Sequence, residues 1–169
     1  MENEGIWVYI KRAFIFILIF IMQTVLADRV RLWGIAPNFA LAYVLVISFK
    51  NYPHYGFYTA LIMGLMTDAV SGRVFGSYTF LFVLAEEVIR IYYTKFFSEN
   101  FFFEFLGGLV FNFFFSLLFA IGEWLFIGNF IRIVFNIAVP EFIYNQIVFT
   151  VFLLMAQKKK KKHRSMFRV

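Results

Sequence analysis

The chain is divided into six apolar blocks by polar segments that are only a few residues long. The blocks cover residues 13–27, 36–49, 55–70, 74–97, 101–127 and 131–157. With 62% hydrophobic residues, 27 Phe and only 15% charged residues in 169 positions, the chain has too little polar surface to coat a soluble globule. A helix needs about 20 residues to cross roughly 30 Å of hydrocarbon. The sequence therefore predicts an all-α, polytopic integral membrane protein with about six transmembrane helices.

Two of the blocks, 36–49 and 55–70, are short for full crossings. Either their helices borrow residues from the loops, or one of them is re-entrant or lies where the bilayer is thin. The predicted organisation is a short cytoplasmic N-terminus at 1–12, a six-helix bundle at 13–157 and a polybasic cytoplasmic tail at 158–169. Because the connections leave no room for a soluble domain, any function must lie inside the bundle or at its rims.

The distribution of Lys and Arg predicts the orientation in the membrane. With both termini inside, 12 of the 16 Lys and Arg face the cytoplasm, and the outer side keeps Arg29, Arg31, Arg73 and Arg132. This split satisfies the positive-inside rule, and an even number of spans places both ends inside. A cleavable signal peptide that ends near Ala27 is the alternative, and it would leave five spans with the C-terminus still inside.

The segment 158–164 is the only polar extension of the chain, with five Lys, His163 and Arg164. A basic run just inside the last span binds anionic lipid headgroups, at about 1 kcal/mol per basic residue close to the surface. The run is predicted to anchor the topology, with docking to a cytoplasmic protein as the alternative. Nucleic acid binding is not expected, because the run has no interleaved aromatic platform.

No catalytic, metal or cofactor site is predicted. The chain has no Cys, and its two His, His54 and His163, lie at separate polar edges. It contains no phosphate-binding Gly loop with a Lys, no nucleophile elbow and no zinc-binding His-Glu-x-x-His helix. The sequence thus predicts a protein that is not an enzyme and that binds no cofactor.

A row of small and acidic residues recurs at every fourth position of the third block and of the turn that follows it. Its members are Gly56, Ala60, Gly64, Asp68, Gly72 and Gly76. Small side chains let two helices approach closely in a membrane, so this row is predicted to face protein and not lipid. Burying the carboxylate of Asp68 in hydrocarbon would cost on the order of 3 kcal/mol or more, so Asp68 should lie at the end of a span or face a partner group.

Two later blocks repeat this spacing. The fifth block carries Glu104, Gly108, Asn112, Ser116 and Ala120, and the sixth carries Asn136, Pro140 and Tyr144. Pro140 is predicted to kink its helix. These rows either pack the protein's own bundle or also receive another subunit, and the sequence leaves both interpretations open.

The fourth block holds Glu86, Glu87 and Arg90. Glu86 and Arg90 are one helical turn apart in the favourable orientation, which predicts a salt bridge at the cytoplasmic membrane interface. A proton or substrate relay is the alternative, and it would require these groups to face a water-filled cavity.

The third block resembles the signature stretch of the rod shape-determining MreD family. The residues that carry this resemblance are Gly56, Gly64, Leu65, Asp68, Ser71, Gly72 and Gly76. Supporting matches are Gln23 near the end of the first block, Pro37 and Asn38 at the start of the second, and Asn145 in the last. Family members often carry an acidic residue after this proline, where the present chain has Asn38.

The resemblance implies a non-enzymatic inner-membrane scaffold of the bacterial cell-elongation machinery. MreD-like proteins partner the bitopic protein MreC, and the pair helps to couple cytoplasmic MreB filaments to lateral peptidoglycan synthesis by RodA and its transpeptidase partner. On this interpretation Gly64 and Gly72 allow close helix contact, and Gly64→Leu abolishes co-purification of MreC. Asp68 is expected to pair with a donor near the outer rim, with Arg73 as the nearest candidate. The sequence leaves open which helix face meets MreC and whether the chain forms a homodimer.

The main alternative is a substrate-capture subunit of an energy-coupling factor vitamin transporter, because MreD resembles these subunits in overall architecture. Their first helix usually carries an Ala-x-x-x-Ala row, whereas Ala13 has no second small residue at that spacing. Trp33 and Tyr78 are the candidates to line a small pocket for a ligand. A proton-linked channel or relay is a third interpretation.

Overall fold

The computed structural model describes residues 2–31, 34–50, 55–72, 74–96 and 100–166, and it describes the side chains of 7–31, 34–50, 55–72, 74–92, 100–125 and 128–157. These residues form six helices. Helix α1 runs over Glu2–Ile21 and continues through a π-helical turn, Met22–Leu26, into Ala27–Arg29; α2 is Phe39–Phe49, α3 is Tyr55–Ser71, α4 is Ser77–Phe96 and α5 is Phe101–Ile127. Helix α6 begins with Phe130–Ile133, passes through a second π-helical turn, Val134–Ala138, and ends with Val139–Met166. The prediction of an all-α membrane protein is confirmed.

Three of the described helices are long and apolar enough to cross a membrane, over Trp7–Arg29, Phe101–Leu125 and Phe130–Gln157. Helix α2 has only 11 residues. At 1.5 Å per residue such a helix is about 16 Å long, roughly half the thickness of the hydrocarbon. The sequence predicted about six crossings and noted that the second block was short; α2 is indeed too short to cross as a helix.

Helix α2 lies at the centre of the bundle. Eight of its 11 residues are buried, and it contacts α1, α3, α4 and α6. Leu41, Leu45 and Phe49 pack with Phe82 of α4 and Phe149 of α6 in one hydrophobic core. Because α2 is surrounded by other helices on most sides, this block needs no polar face.

The remaining helices are arranged around α2. Helices α3 and α4 form a hairpin with extensive contacts. Helices α5 and α6 run antiparallel, since Asn112 bonds Gln146 while Ala120, nearer the end of α5, packs with Ala138 near the start of α6. Helix α1 is peripheral, because only 11% of its apolar stretch is buried, against 39% for each of the stretches in α5 and α6.

Candidate functional site at the N-termini of α2 and α4

The backbone N–H groups at the start of α2 all donate to side-chain oxygens. These first amides of a helix have no partner within the helix itself. Asn38 occupies the N-cap position, and its Oδ1 accepts from the amide of Leu41 at 2.8 Å. The short Asn side chain suits this position because its oxygen reaches the third amide of the helix. Pro37, just before the cap, is also buried.

Gln23 of α1 supplies the acceptor for the first two amides of α2. Its Oε1 accepts from Phe39 N at 2.8 Å and from Ala40 N at 3.3 Å. Gln23 lies in the π-helical turn of α1, and such turns insert an extra residue that redirects side chains, often at functional sites. The turn therefore places a polar side chain of a peripheral helix against the end of the central one.

Asn145 of α6 completes the cap. Its Oδ1 accepts from the backbone amide of Asn38 at 2.8 Å, and Asn145 is 1% exposed. Gln23, Asn38 and Asn145 thus meet at one point, although the sequence showed them only as separate landmarks far apart in the chain. We call this cluster the α2 cap.

Asp68 of α3 performs the same task for α4. The N-cap residue of α4 is Gly76, with φ +93° and no side chain that could accept a hydrogen bond. Asp68 Oδ1 accepts from Tyr78 N at 2.9 Å, and Oδ2 accepts from Thr79 N at 3.0 Å and from Thr79 Oγ1 at 2.6 Å. The carboxylate is only 4% exposed, and its burial is offset by these bonds and by the positive end of the helix dipole.

Gly64 lies one turn before Asp68 and faces the same residue of α4. A Cβ atom on Gly64 would lie 3.0 Å from Thr79 N and closer still to Thr79 Cα. Ala60 is fully buried, and a Cβ on Gly56 would lie 2.5 Å from Glu86 Oε1. The structure therefore places this part of the small-residue row against α4 of the same chain.

The two ends of this hairpin connection require glycine. Gly72 follows the last residue of α3 with φ +67°, and Gly76 precedes α4 with φ +93°. These values lie in the left-handed region, where a side chain is strained. Arg73, the donor that the sequence suggested for Asp68, lies outside the described residues; the donors that the structure describes are Tyr78 and Thr79.

The predicted salt bridge between Glu86 and Arg90 is wrong in its acidic partner. Arg90 pairs with Glu87, three residues before it, on an exposed part of the surface. Glu86 is 4% exposed, and its carboxylate lies beside Gly56 of α3. A pair at spacing three competes with one at spacing four, and here Gly56 leaves room for the Glu86 carboxylate inside the bundle.

An ion pair that the sequence did not indicate joins α2 to α5. Lys50 Nζ lies 2.9 Å from Glu104 Oε1 and 3.0 Å from Oε2, and the Glu104 side chain is only 1% exposed. Lys50 is the C-cap of α2 and Glu104 lies in the first turn of α5. The positive charge of Lys50 lies at the negative end of the α2 dipole, and the negative charge of Glu104 lies at the positive end of the α5 dipole, so both interactions are favourable. The pair also fixes the end of α2 that is opposite the α2 cap.

Pro140 acts on the helix turn that precedes it. Because proline has no N–H, the carbonyl of Asn136 loses its usual partner four residues later. The helix takes up a π-helical turn over Val134–Ala138, just before the proline. One turn further on, the Tyr144 hydroxyl donates to the carbonyl of Val30 at the end of α1.

A cavity of about 570 Å³ opens above the α2 cap. Its wall is unusually polar for this chain and includes Gln23, Thr24, Asn38, Thr67, Tyr78 and Glu141. Asp28 and Arg31, paired at 2.6 Å, also line it. Both π-helical turns contribute residues to this wall. Tyr78 was expected to line a pocket; Trp33, the other aromatic residue expected there, lies outside the described residues.

One family model matches the chain, and it covers residues 5–159. The model is that of the rod shape-determining protein MreD. No curated protein and no solved structure matches the chain.

Proposed function

The chain belongs to the MreD family of rod shape-determining proteins, and on this basis we propose that it is a non-enzymatic scaffold of the cell-elongation machinery in the bacterial inner membrane. Membership gives a role in rod shape determination. The proposal adds that the chain partners an MreC-like bitopic protein. Through this partner it supports lateral peptidoglycan synthesis by RodA and its transpeptidase partner.

The observation that carries the proposal is that four of the residues on which the family resemblance rests cap the N-termini of helices. Gln23, Asn38, Asp68 and Asn145 all direct side-chain oxygens at the first amides of α2 or α4. These bonds hold helices α1, α2, α3, α4 and α6 in fixed positions. Close packing and interhelical hydrogen bonds are what a membrane protein needs to present a constant surface to other membrane proteins.

Helix α1 is the surface that we propose for a single-span partner. It is the least buried of the three apolar stretches, and its outward side chains include Phe14 and Ile17, 66% and 55% exposed. A second helix that packs there would cover side chains that the bundle leaves exposed. A homodimer would also form through an exposed apolar helix face of this kind.

The structure changes the experiment that tests this proposal. Because Gly64 and Asp68 hold α3 against α4 within the chain, Gly64→Leu would disturb the hairpin itself. A better probe is a photo-crosslinking residue, Phe14→p-benzoylphenylalanine, with Phe114→p-benzoylphenylalanine as the matched control, since Phe114 of α5 is 55% exposed. We expect an MreC-like protein to cross-link at position 14 in native membranes. Cross-linking at neither position, with no such protein in a mild-detergent pull-down, would contradict the scaffold.

The proposed orientation has both termini in the cytoplasm, with the tail 158–164 on anionic lipid or on MreB. The chain has no Cys, so single-cysteine variants report accessibility without a background. Val74→Cys, in the connection before α4, should react with a membrane-impermeant maleimide in spheroplasts, whereas Ser165→Cys should react only after lysis. The reverse pattern would invert the topology.

The cavity favours a second candidate function, the capture of a small ligand as in energy-coupling factor transporters. Its volume of about 570 Å³ lies within the range of ligand sites, and polar groups converge on it. The architectural likeness to those subunits remains a prediction. Thermal stabilisation of the purified protein by a vitamin would support capture, since a ligand that binds the folded state raises stability by mass action.

A further inference from the structure

The interface between α5 and α6 contains a buried polar column. Asn112, Ser116, Asn145 and Gln146 are 0%, 2%, 1% and 9% exposed. Asn112 Nδ2 donates to Gln146 Oε1 at 2.8 Å, and Gln146 Nε2 donates to the carbonyl of Phe105 at 3.5 Å. These bonds use only part of the hydrogen-bonding capacity of the column.

Three side-chain atoms of the column have no hydrogen-bond partner among the described residues. They are Asn112 Oδ1, Ser116 Oγ and Asn145 Nδ2. The first is an acceptor, the last is a donor and the hydroxyl can do both, so their needs are complementary. A buried polar atom without a partner costs about the full loss of its hydration, so each such atom in a native protein calls for an explanation, and an ordered water is one of the usual ones.

Neither lipid nor another protein chain can supply the missing partners. Asn112 and Ser116 lie near the middle of the apolar stretch Phe101–Leu125, where hydrocarbon offers no hydrogen bonds. Both are also enclosed within the bundle, beyond the reach of a side chain from outside. The occupant must therefore be very small and must both donate and accept hydrogen bonds.

We propose that ordered water occupies the α5–α6 interface and bridges Asn112, Ser116 and Asn145. Residues four apart on a helix have Cβ atoms about 5–6 Å apart, a separation that one water molecule spans with two hydrogen bonds of about 2.8 Å. Two to four polar partners are what a buried water requires. The site lies in the interior and is separate from the proposed surface on α1.

The α2 cap links one residue of the proposed water site to the cavity. Asn145 accepts from Asn38, and Asn38 lines the cavity of about 570 Å³. Asn145 therefore belongs both to the α2 cap and to the proposed water site, one hydrogen bond away from a residue of the cavity wall.

Ser116→Ala tests the proposal, with Ser48→Ala as the matched control. Both serines are helical and buried, 2% and 3% exposed, but the Ser48 hydroxyl already donates to the carbonyl of Val44 at 2.9 Å. If water bridges Ser116, removal of the hydroxyl leaves the bound water without one of its hydrogen-bond partners. Ser116→Ala should then lower the midpoint of thermal unfolding by about 2–6 °C more than Ser48→Ala does. If the hydroxyl has no partner, its removal is neutral or stabilising, and that result would overturn the proposal.

A direct measurement accompanies the melting experiment. In reconstituted wild type, water-edited solid-state NMR should show transfer of water magnetisation to the side-chain amides of Asn112 and Asn145 at the rate seen for Asn38 in the cavity wall. Transfer to Asn112 as slow as to the core methyl groups of Leu45 would mean a dry interface and would refute the water site.

Discussion

Asn145 Oδ1 accepts a hydrogen bond from the backbone amide of Asn38 at 2.8 Å, although 107 residues separate them. The bond joins the last helix to the first turn of the shortest one, and both residues are at most 5% exposed. Because the start of α2 is buried, with Ala40 and Leu41 at most 2% exposed, solvent cannot satisfy these first amides. The bundle therefore supplies acceptors from α1 and α6.

Asn145→Ala should destabilise the bundle by about 1–3 kcal/mol, because it leaves the buried amide of Asn38 without an acceptor. The free energy of unfolding, measured by denaturant titration in detergent micelles, reports the change. Thr150→Ala on the same helix is the control, since the Thr150 hydroxyl only adds a bond to the carbonyl of Gln146. Equal stability of Asn145→Ala and wild type would show that the amide finds another partner.

Asp68→Asn should weaken the α3–α4 hairpin by about 1–3 kcal/mol, since the NH₂ that replaces one carboxylate oxygen cannot accept, and one of the two backbone amides that face the carboxylate loses its acceptor. Asp28→Asn is the control, because the side chains of Asp28 and Arg31 are 66% and 50% exposed and such surface pairs contribute about 1 kcal/mol or less. Thermal unfolding of the purified variants gives the ranking. A smaller loss for Asp68→Asn than for Asp28→Asn would contradict the helix-capping role.

The helices could be predicted because a long apolar block inside a membrane must satisfy its own backbone hydrogen bonds, and a helix does so. Each of the six blocks became a helix, and even the shortness of the second block was visible in the sequence. The spacing of residues along one helix does not show which group on a neighbouring helix a polar side chain contacts. Glu86 and Glu87 are both one turn from Arg90, and only the position of Gly56 on the neighbouring helix decides which of them turns inward.

The α2 cap shows the same limit at longer range. Gln23, Asn38 and Asn145 each stood out as polar residues in or beside apolar blocks, which is a signal that they have a structural or functional role. Their meeting depends on the π-helical turn in α1 and on the packing of α6 along α2, and neither leaves a local pattern. The bond between Lys50 and Glu104 was missed for a similar reason, since Glu104 was interpreted only as a member of the packing row of its block and Lys50 lies 54 residues away.

Substitution by alanine should change the free energy of unfolding in opposite directions at Gly64 and at Gly122. Gly64→Ala should destabilise the protein by about 1–3 kcal/mol, because its Cβ would meet the backbone of Thr79, which cannot shift without moving α4. Gly122→Ala is the matched control within a helix, since nothing lies within 4 Å of its Cβ position, and it should stabilise by about 0.5–1 kcal/mol. Denaturant titration of both variants measures the difference, and a Gly64→Ala protein as stable as Gly122→Ala would mean that α3 and α4 are not in close contact.

The ion pair between Lys50 and Glu104 should behave as a buried pair and not as a surface one. Lys50→Met leaves the Glu104 carboxylate, 1% exposed, without its cation and should cost about 3–5 kcal/mol of unfolding free energy. The double variant Lys50→Met with Glu104→Met removes both charges and should recover most of that loss. The exposed pair of Glu87 and Arg90 supplies the comparison, since Glu87→Gln should change stability by about 1 kcal/mol or less. If Lys50→Met and Glu87→Gln cost the same, the charge of Glu104 must be reaching solvent, and this pair does not hold α2 against α5.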